Sequence, residues 1–185
     1  MEELPDETIA RQVQNGDIKA FKTLVERYEP KMLRYAKRFV FGYEDTQDAV
    51  QDIFIKAYRN IKSFDTDRRF SPWIYRIAHN ELINLIKKKG REPVSFFDPD
   101  TLFPHPATET TPQNDLEEKQ LRQALDHLLG KLDPKYREPL ILYHFENMDY
   151  QQIADIMHIP SSTVGIRLKR GRDQLRRLNE STPSL

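Results

Sequence analysis

The chain contains no cysteine at any of its 185 positions. Disulfides, thiolate zinc sites and thiol nucleophiles are therefore excluded. Long apolar runs are also missing, and none approaches the roughly 18–20 residues that a membrane-spanning helix needs. The amino terminus is acidic and has no apolar core, so it does not have the pattern of a signal peptide. These absences predict a cytoplasmic protein without membrane insertion.

Glycine is scarce, with 6 residues against 12 prolines. Five of the prolines lie between residues 91 and 115, where the net charge is −4. So many prolines forbid a regular element, and this composition favours a flexible, acidic linker. Val94, Phe96 and Phe97 stand in the same segment, and a passive tether does not need them. The chain is thus predicted to have a first domain at 1–90, a linker at 91–115 and a second domain at 116–185.

Apolar residues recur at steps of three and four on both sides of the linker, which is the period of α-helices. The predicted helices cover residues 18–39, 46–61, 71–89, 115–129, 134–145, 150–157 and 162–178. Ser71–Pro72 and Asp133–Pro134 are good helix starts, and Asp115 with Glu118 resembles a capping box. No segment has strand periodicity, so the fold class is all-α, with two small helical domains.

The last two helices have the pattern of a helix-turn-helix. Asp149 caps the first helix, Pro160 breaks the chain, and the small Ala154 lets a second helix with Val164 cross closely. Residues 163–178 carry six basic side chains against one acidic side chain. In this motif the second helix enters the DNA major groove. The candidate DNA contacts are Ser161, Ser162, Thr163, Ile166, Arg167, Lys169 and Arg170. The alternative is a pair of core helices with a solvated basic face.

The helix at 71–89 has a polar stripe opposite its apolar one. The stripe consists of Arg76, Asn80, Asn84 and Lys87, which offer base-edge and phosphate contacts. The preceding loop combines aromatic and basic side chains, which suits unstacked bases of single-stranded DNA; its candidates are Phe64, Arg68, Arg69, Phe70 and Trp73. The alternative is that the three aromatic residues are core residues, and this alternative is strongest for Trp73.

Carboxylates are concentrated at the start of the helix at 46–61, where Glu44, Asp45, Asp48 and Asp52 lie. They stabilise the positive end of a helix, or they form an acidic docking surface for a protein. No histidine or nucleophile accompanies them. We therefore expect no metal, no cofactor and no enzymatic activity.

Two blocks of the sequence resemble the extracytoplasmic-function (ECF) subfamily of bacterial RNA polymerase sigma factors. The first block contains DAVQDIFIKAYR at 48–59 and FSPWIYRIAHN at 70–80, and it is similar to sigma region 2. The second contains LDPKYREPL at 132–140, YQQIA at 150–154 and IPSSTV at 159–164, and it is similar to region 4. Departures from the commoner pattern occur at His158, Gly165 and Ile166.

The resemblance implies a function for each surface. One surface would dock on the clamp helices of the largest subunit of core RNA polymerase; its residues are Asp48, Gln51, Asp52 and Ile55. The loop at 64–73 and the polar stripe would melt and read the minus-ten promoter element. The helix from Ser162 would read the minus-thirty-five element, and the linker would follow the path of the nascent transcript. The implied partners are core polymerase, promoter DNA and an anti-sigma factor, and the expected targets are stress or envelope-response genes.

One alternative is a free-standing helix-turn-helix regulator whose first domain senses a signal or dimerises. The aromatic loop at 64–73 and the stripe with Arg76 and Asn80 favour the sigma factor, because a sensor domain does not need them. A nucleic-acid-modifying enzyme would require a nucleophile or a metal set, and the sequence offers neither.

Overall fold

The computed structural model describes residues 4–39, 43–89 and 124–180, and within these ranges every regular element is helical. The elements are α1 (Asp6–Gln14), α2 (Ala20–Lys37), α3 (Tyr43–Asn60), a 3₁₀ turn (Ile61–Ser63), α4 (Phe70–Lys89), α5 (helical residues 124–130), α6 (Pro134–His144), α7 (Tyr150–Met157) and α8 (Ser161–Glu180). The predicted all-α class is confirmed. The linker at 91–115, the boundaries of the predicted domains and the capping box at Asp115 lie outside the described residues.

Helix α1 was not predicted as a separate element, because it is short and mostly polar. The apolar stripe was predicted to begin at Ile18, and that was wrong. Ile18 is 65% exposed and precedes α2, whose start is fixed by Asp17. The Asp17 carboxylate accepts hydrogen bonds from the N–H groups of Lys19 at 3.1 Å and Ala20 at 3.3 Å, which satisfies donors that a helix start leaves unpaired.

Helices α1 to α4 form the amino-terminal group, whose interior is apolar and aromatic. Leu24 and Met32 of α2, Ile53 of α3 and Ile74 of α4 are fully buried. Tyr58 has the helical spacing of the buried face of α3, four residues after Phe54, but it is 39% exposed. The amphipathic pattern therefore located this core well and erred mainly at its rim.

Helix α4 begins one residue before the predicted start at Ser71. The N–H group of Phe70 donates to the carboxylate of Glu7 at 2.9 Å, so a residue of α1 satisfies the first donor of α4. The first turn of α4 contains no acidic residue of its own. A cap supplied from another helix leaves no local sequence signal, which explains the difference.

Helices α5 to α8 form the carboxyl-terminal group. The side chain of Asp133 accepts from the N–H of Lys135 at 2.9 Å, with Pro134 at the first helical position of α6, as predicted. Gly171 of α8 is buried against α6, and a Cβ atom there would lie 2.8 Å from Cδ1 of Leu140. This close helix crossing requires a residue without a side chain, and it was not predicted from the sequence.

The two groups meet along a polar seam formed by Tyr35, Tyr75 and His79 on one side and Glu138 and Glu146 on the other. Tyr35 Oη donates to Glu138 Oε1 at 2.5 Å, and His79 Nδ1 lies 2.6 Å from the same oxygen. Tyr75 Oη donates to Glu146. Because an ionised carboxylate only accepts hydrogen bonds, we assign the proton to Nδ1 of His79.

Burial makes the seam chemically unusual. Glu138 is 1% exposed and Tyr35 is completely buried. Burial, followed by the negative charge of Glu138, raises the pKa of Tyr35 well above its usual value. Beside the seam, Arg38 lies 3.5 Å from Asp126 and places its guanidinium 4.0 Å from the centre of the Phe145 ring.

Candidate nucleic-acid interface

The turn between α7 and α8 has the geometry of a helix-turn-helix. Asp149 and Gln152 cap each other, with Asp149 Oδ1 accepting at 2.8 Å and Gln152 Oε1 accepting at 2.9 Å, as predicted. α7 ends at His158, whose φ of 53° and ψ of 46° are left-handed. This conformation usually requires glycine or asparagine, and it lets the N–H of Ile159 reach the Ala154 carbonyl at 3.1 Å.

The start of α8 differs by one residue from the prediction. The Pro160 carbonyl accepts from the N–H groups of Thr163 at 2.9 Å and Val164 at 3.3 Å, so the helix begins at Ser161. Val164 is completely buried and Ala154 is 5% exposed. Both residues of the predicted crossing are therefore buried where α7 packs against α8.

The candidate DNA contacts of α8 lie on its outer surface. Ser161, Ser162, Lys169 and Arg170 are exposed, Ile166 is 52% exposed, and Thr163 and Arg167 are half-buried. Val164, Leu168 and Gly171 are buried on the opposite side. The structure thus brings the seven residues to an accessible helix start, which is the part of a recognition helix that contacts bases.

Helix α4 presents a second polar face. Arg76, Asn80, Asn84 and Lys87 are all exposed, whereas Ile74, Ala78 and Leu82 on the other side are buried. The four residues recur at steps of four and three, so they share one side of the helix. On this side, two amides lie between two cations. The amides can read base edges, and the cations can contact phosphates.

The loop at 64–69, which joins the 3₁₀ turn to α4, contributes less aromatic surface than the sequence suggested. Phe64 is 5% exposed and Phe70 is completely buried. Their ring centroids are 5.4 Å apart, and Trp73 packs against both rings at 5.0 and 5.3 Å. Phe64 and Phe70 are core residues in this structure, and their placement as base-stacking groups is wrong here. Trp73 is half-buried, and Arg68 and Arg69 are exposed.

A groove between α2 and α3 collects the candidate docking residues. It has a volume of about 610 Å³, and Asp48, Gln51 and Ile55 line it. Asp52 is exposed next to these residues but does not line the groove. The contribution of α2 was missed: Phe21, Val25, Glu29 and Leu33 line the groove as well. Phe21 and Val25 fit the apolar stripe of α2, so periodicity alone placed them in the core.

No helix in the described ranges is long and apolar enough to cross a membrane. Among the same residues, no three His, Asp or Glu side chains come together in a way that could hold a metal ion.

Comparisons with known proteins agree with the two helical groups. The sequence model for Sigma-70 region 2 matches residues 24–92, and that for Sigma-70 region 4 matches residues 122–175. The ECF RNA polymerase sigma factor SigW of Bacillus subtilis is 33% identical over 175 residues, covering 90% of this chain and 92% of that protein. The ECF RNA polymerase sigma-E factor of Escherichia coli K12 is 34% identical, covering 94% of each chain.

Solved structures show the same similarity. CnrH, determined in complex with the cytosolic domain of CnrY, aligns with a TM-score of 0.71 and 26% identity over 96% of this chain and 98% of that one. The sigma factor RpoE of Bartonella quintana, in complex with the anti-sigma factor NepR, aligns with a TM-score of 0.68 at 24% identity, which supports the fold. With curated relatives at least 33% identical over 90% or more of both chains, both sigma regions in order and a helix-turn-helix in the second, the chain belongs to the ECF family of RNA polymerase sigma factors.

Proposed function

We propose that this chain binds core RNA polymerase and directs it to specific promoters through two separate DNA-reading faces. The observation that carries the proposal is the exposed stripe of Arg76, Asn80 and Asn84 on a helix whose other side is core. A second face on α8 lies in the other helical group, so one chain can contact two promoter elements. The chain itself supplies recognition, and the polymerase supplies the chemistry.

The groove between α2 and α3 is the proposed docking site for the clamp helices of the largest polymerase subunit. Its floor is apolar, with Phe54 and Val25, and its rim carries Asp48 and Gln51. An apolar floor with a polar rim suits the insertion of a partner helix. Two carboxylates, Glu29 and Asp48, and one cation, Arg59, line the groove, and this excess of negative charge favours a partner with basic side chains at the edge of the contact.

The minus-ten element is the proposed target of α4 and the loop at 64–69. Arg68 and Arg69 can hold the backbone of an opened strand, while Asn80 and Asn84 can bond to exposed base edges. Trp73 offers one accessible side of its ring for stacking. Because two of the loop aromatics are buried, we assign base contacts to the amides and not to a stacked aromatic platform.

The minus-thirty-five element is the proposed target of α8. Arg170 and Lys169 are exposed and Arg167 is half-buried on the accessible side. Arginine binds the O6 and N7 atoms of guanine with two hydrogen bonds, and such a pair is worth about 1–3 kcal/mol of base discrimination. Ser161 and Ser162 can hold phosphates at the helix start.

Reconstituted transcription tests the whole proposal. Purified chain is added to core polymerase with a genomic promoter library, and the transcript start sites are sequenced. We expect a small set of new start sites that require both the chain and core enzyme. A free-standing regulator would instead bind DNA without core enzyme and would create no start sites, and that result would overturn the proposal.

The α8 assignment is tested with Arg167→Ala and Arg170→Ala. We expect each to weaken binding to a cognate upstream element by about 1–3 kcal/mol and to relax the preference for one base. Arg172→Ala is the matched control, since it removes the same charge from the same helix. An equal loss on every sequence for all three variants would show that these residues contact only phosphates.

The docking assignment is tested with Gln51→Ala combined with Asp52→Lys. Both side chains are exposed, so we expect the melting temperature to stay within a few degrees while core polymerase binding weakens. Asn179→Ala with Glu180→Lys makes a similar change at the exposed end of α8. Normal co-purification of the first variant with core enzyme would contradict the proposed docking site.

We further propose that an anti-sigma factor controls this chain in the cytoplasm and that its targets are stress or envelope-response genes. Support comes from the similarity in fold to the sigma factor RpoE of Bartonella quintana, whose structure was solved in complex with the anti-sigma factor NepR. Co-expression with a candidate inhibitor should suppress the new start sites and should yield a stable complex.

A further inference from the structure

We propose that α1 is a positioning element for the loop at 64–69, and that Gln14 and Glu7 set how well this loop distinguishes one minus-ten sequence from another. This inference rests on the proposed function of the loop. The region 2 match begins at residue 24, so it does not include α1. Glu7, Arg11 and Gln14 of α1 nevertheless each make a polar contact with the loop or with a residue at its ends.

Gln14 holds the start of the loop. Its Nε2 atom donates to the Ile61 carbonyl at 2.8 Å and to the Phe64 carbonyl at 2.7 Å. An amide nitrogen has two hydrogens, and both are used on backbone acceptors from one short segment. The carbonyls lie where α3 has ended and α4 has not begun. The N–H of Phe64 donates to the Ile61 carbonyl at 3.1 Å, and Gln14 adds two side-chain hydrogen bonds that hold the turn.

Glu7 holds the end of the loop. Its Oε1 atom accepts from the N–H of Phe70, the first residue of α4, at 2.9 Å. A carboxylate at this place also interacts favourably with the positive end of the α4 dipole. Because α4 carries no acid in its own first turn, Glu7 decides where the helix starts and where the loop stops.

Arg11 contacts the middle of the loop. Its Nη2 atom lies 2.9 Å from Oγ1 of Thr66 and 3.4 Å from the carboxylate of Asp67. Both charged partners are mostly exposed, so this contact is weaker than the other two. Glu7, Arg11 and Gln14 are spaced by four and three residues and thus share one side of α1.

The opposite side of α1 anchors it to the core, because Ile9, Ala10 and Val13 are buried. The buried side consequently keeps α1 in a fixed position, and its polar side contacts the loop. With Phe64 and Phe70 buried at its ends, the loop backbone that carries the exposed Arg68 and Arg69 is fixed at both ends. A strand whose backbone is held by a fixed loop presents its bases to Asn80 and Asn84 in one position, so a wrong base is not accommodated by loop movement at little cost.

The test uses full-length protein with core polymerase on a promoter identified by reconstituted transcription. Binding is measured to the single-stranded minus-ten element and to versions with one base replaced. The discrimination ratio is the affinity for the best minus-ten sequence divided by the affinity for a sequence with one base replaced. We expect Gln14→Ala to reduce this ratio about five- to tenfold. Gln14→Glu should reduce it further, because it turns an acceptor towards two carbonyls. Core affinity and minus-thirty-five binding should stay within twofold of wild type.

Two controls separate positioning from loss of stability. Gln12→Ala makes the same change at an exposed position of α1 and should leave the ratio unchanged. Ile9→Val loosens the buried side of α1 without removing a loop contact. If Ile9→Val lowers the discrimination ratio as much as Gln14→Ala at an equal fall in melting temperature, α1 has only a structural role and the inference is wrong.

Two variants of Glu7 provide an independent test of the inference. Glu7→Gln keeps an acceptor for the Phe70 N–H and should retain most of the discrimination, whereas Glu7→Ala should lose it. Equal ratios for wild type, Gln14→Ala and Glu7→Ala would overturn the inference while leaving the proposed function intact. A wild-type protein that fails to prefer any minus-ten strand would instead overturn the proposed function of the loop.

Discussion

The interior of the amino-terminal group and the polar seam are both buried, but they are built from different chemistry. The interior joins apolar and aromatic side chains such as Met32, Ile53 and Phe70. The seam joins hydroxyl, imidazole and carboxylate groups, with Glu138 at its centre. Apolar surface gains nothing by returning to water, whereas a buried carboxylate regains its hydration when the seam opens. We therefore expect the interior to stay closed, whereas the seam, although α4 also packs against α7 beside it, is the place where the two groups can separate.

The seam also leaves both candidate DNA faces accessible. Asn80 and Asn84 of α4 and Arg170 of α8 are exposed while the two helical groups are in contact. Separation of the groups is consequently not needed to uncover these residues. Separation of the two groups would instead change the distance between the two candidate DNA faces. On a promoter, that distance must match the spacing between the two elements.

The largest loss of folding stability should come from a substitution that leaves a cavity in the interior. Phe70→Ala removes a ring that packs on Tyr28 at 5.3 Å as well as on the two neighbouring rings, and we expect a loss of about 3–5 kcal/mol in the free energy of unfolding. Urea unfolding measures it. Arg69→Ala, next in sequence but exposed, should change stability by less than about 0.5 kcal/mol. Similar losses in the two variants would contradict the assignment of Phe70 to the core.

A smaller effect is expected in the seam. Glu138→Ala leaves the Tyr35 hydroxyl and the His79 ring without their common acceptor, at a cost of about 1–3 kcal/mol. Because the interior is untouched, we expect the helical groups to separate while each stays folded. Small-angle scattering should show a larger radius of gyration with unchanged helical circular dichroism. Glu138→Gln keeps an acceptor and should behave closer to wild type; a compact Glu138→Ala protein would show that other contacts hold the seam.

At alkaline pH, ionisation of the buried tyrosines of the seam should lower the stability of the folded protein. Burial raises the pKa values of Tyr35 and Tyr75, and neighbouring Glu138 and Glu146 add to the effect. The neutral phenols are thus favoured in the folded state, so stability is complete below about pH 10 and falls as the pH rises above the pKa of an unfolded tyrosine. Each tyrosine contributes at most about 1.4 kcal/mol per pH unit.

The double variant Tyr35→Phe, Tyr75→Phe checks this expectation through the slope of stability against pH between about pH 10 and 11. We expect a shallower slope than in wild type. Tyr28 of the interior also has a raised pKa, caused first by burial and then by its hydrogen bond to Asp6, so part of the slope should remain. An unchanged slope would mean that the seam opens before its tyrosines ionise.

The smallest effect should come from the edge of the seam. Arg38→Ala removes an ion pair to Asp126 and a contact with the Phe145 ring. Contacts of these kinds at partly exposed positions are worth about 0.5–1 kcal/mol each at most. Arg38→Lys keeps the charge and should lose less. A loss above about 3 kcal/mol for Arg38→Ala would place this residue among the main determinants of the seam.

Local sequence signals determined much of this protein. The three- and four-residue spacing of apolar residues predicted α2, α3 and α4, and the caps at Asp133 and Asp149 predicted the starts of α6 and α7. The positions of Ala154, Pro160 and Val164 predicted the helix-turn-helix. These features depend on residues close together in the chain, and their physical cause is contained in the segment itself.

The tertiary structure alone decided the features that join distant segments. Glu7 caps a helix that begins 63 residues later, and Glu138 accepts from Tyr35 across 103 residues; no periodicity or capping pattern indicates either contact. Phe64 could have faced bases or the core, because a loop aromatic has no periodic partner that fixes its direction. Packing buried it, since closing the space between the 3₁₀ turn and Trp73 removes more apolar surface from water than an exposed ring would.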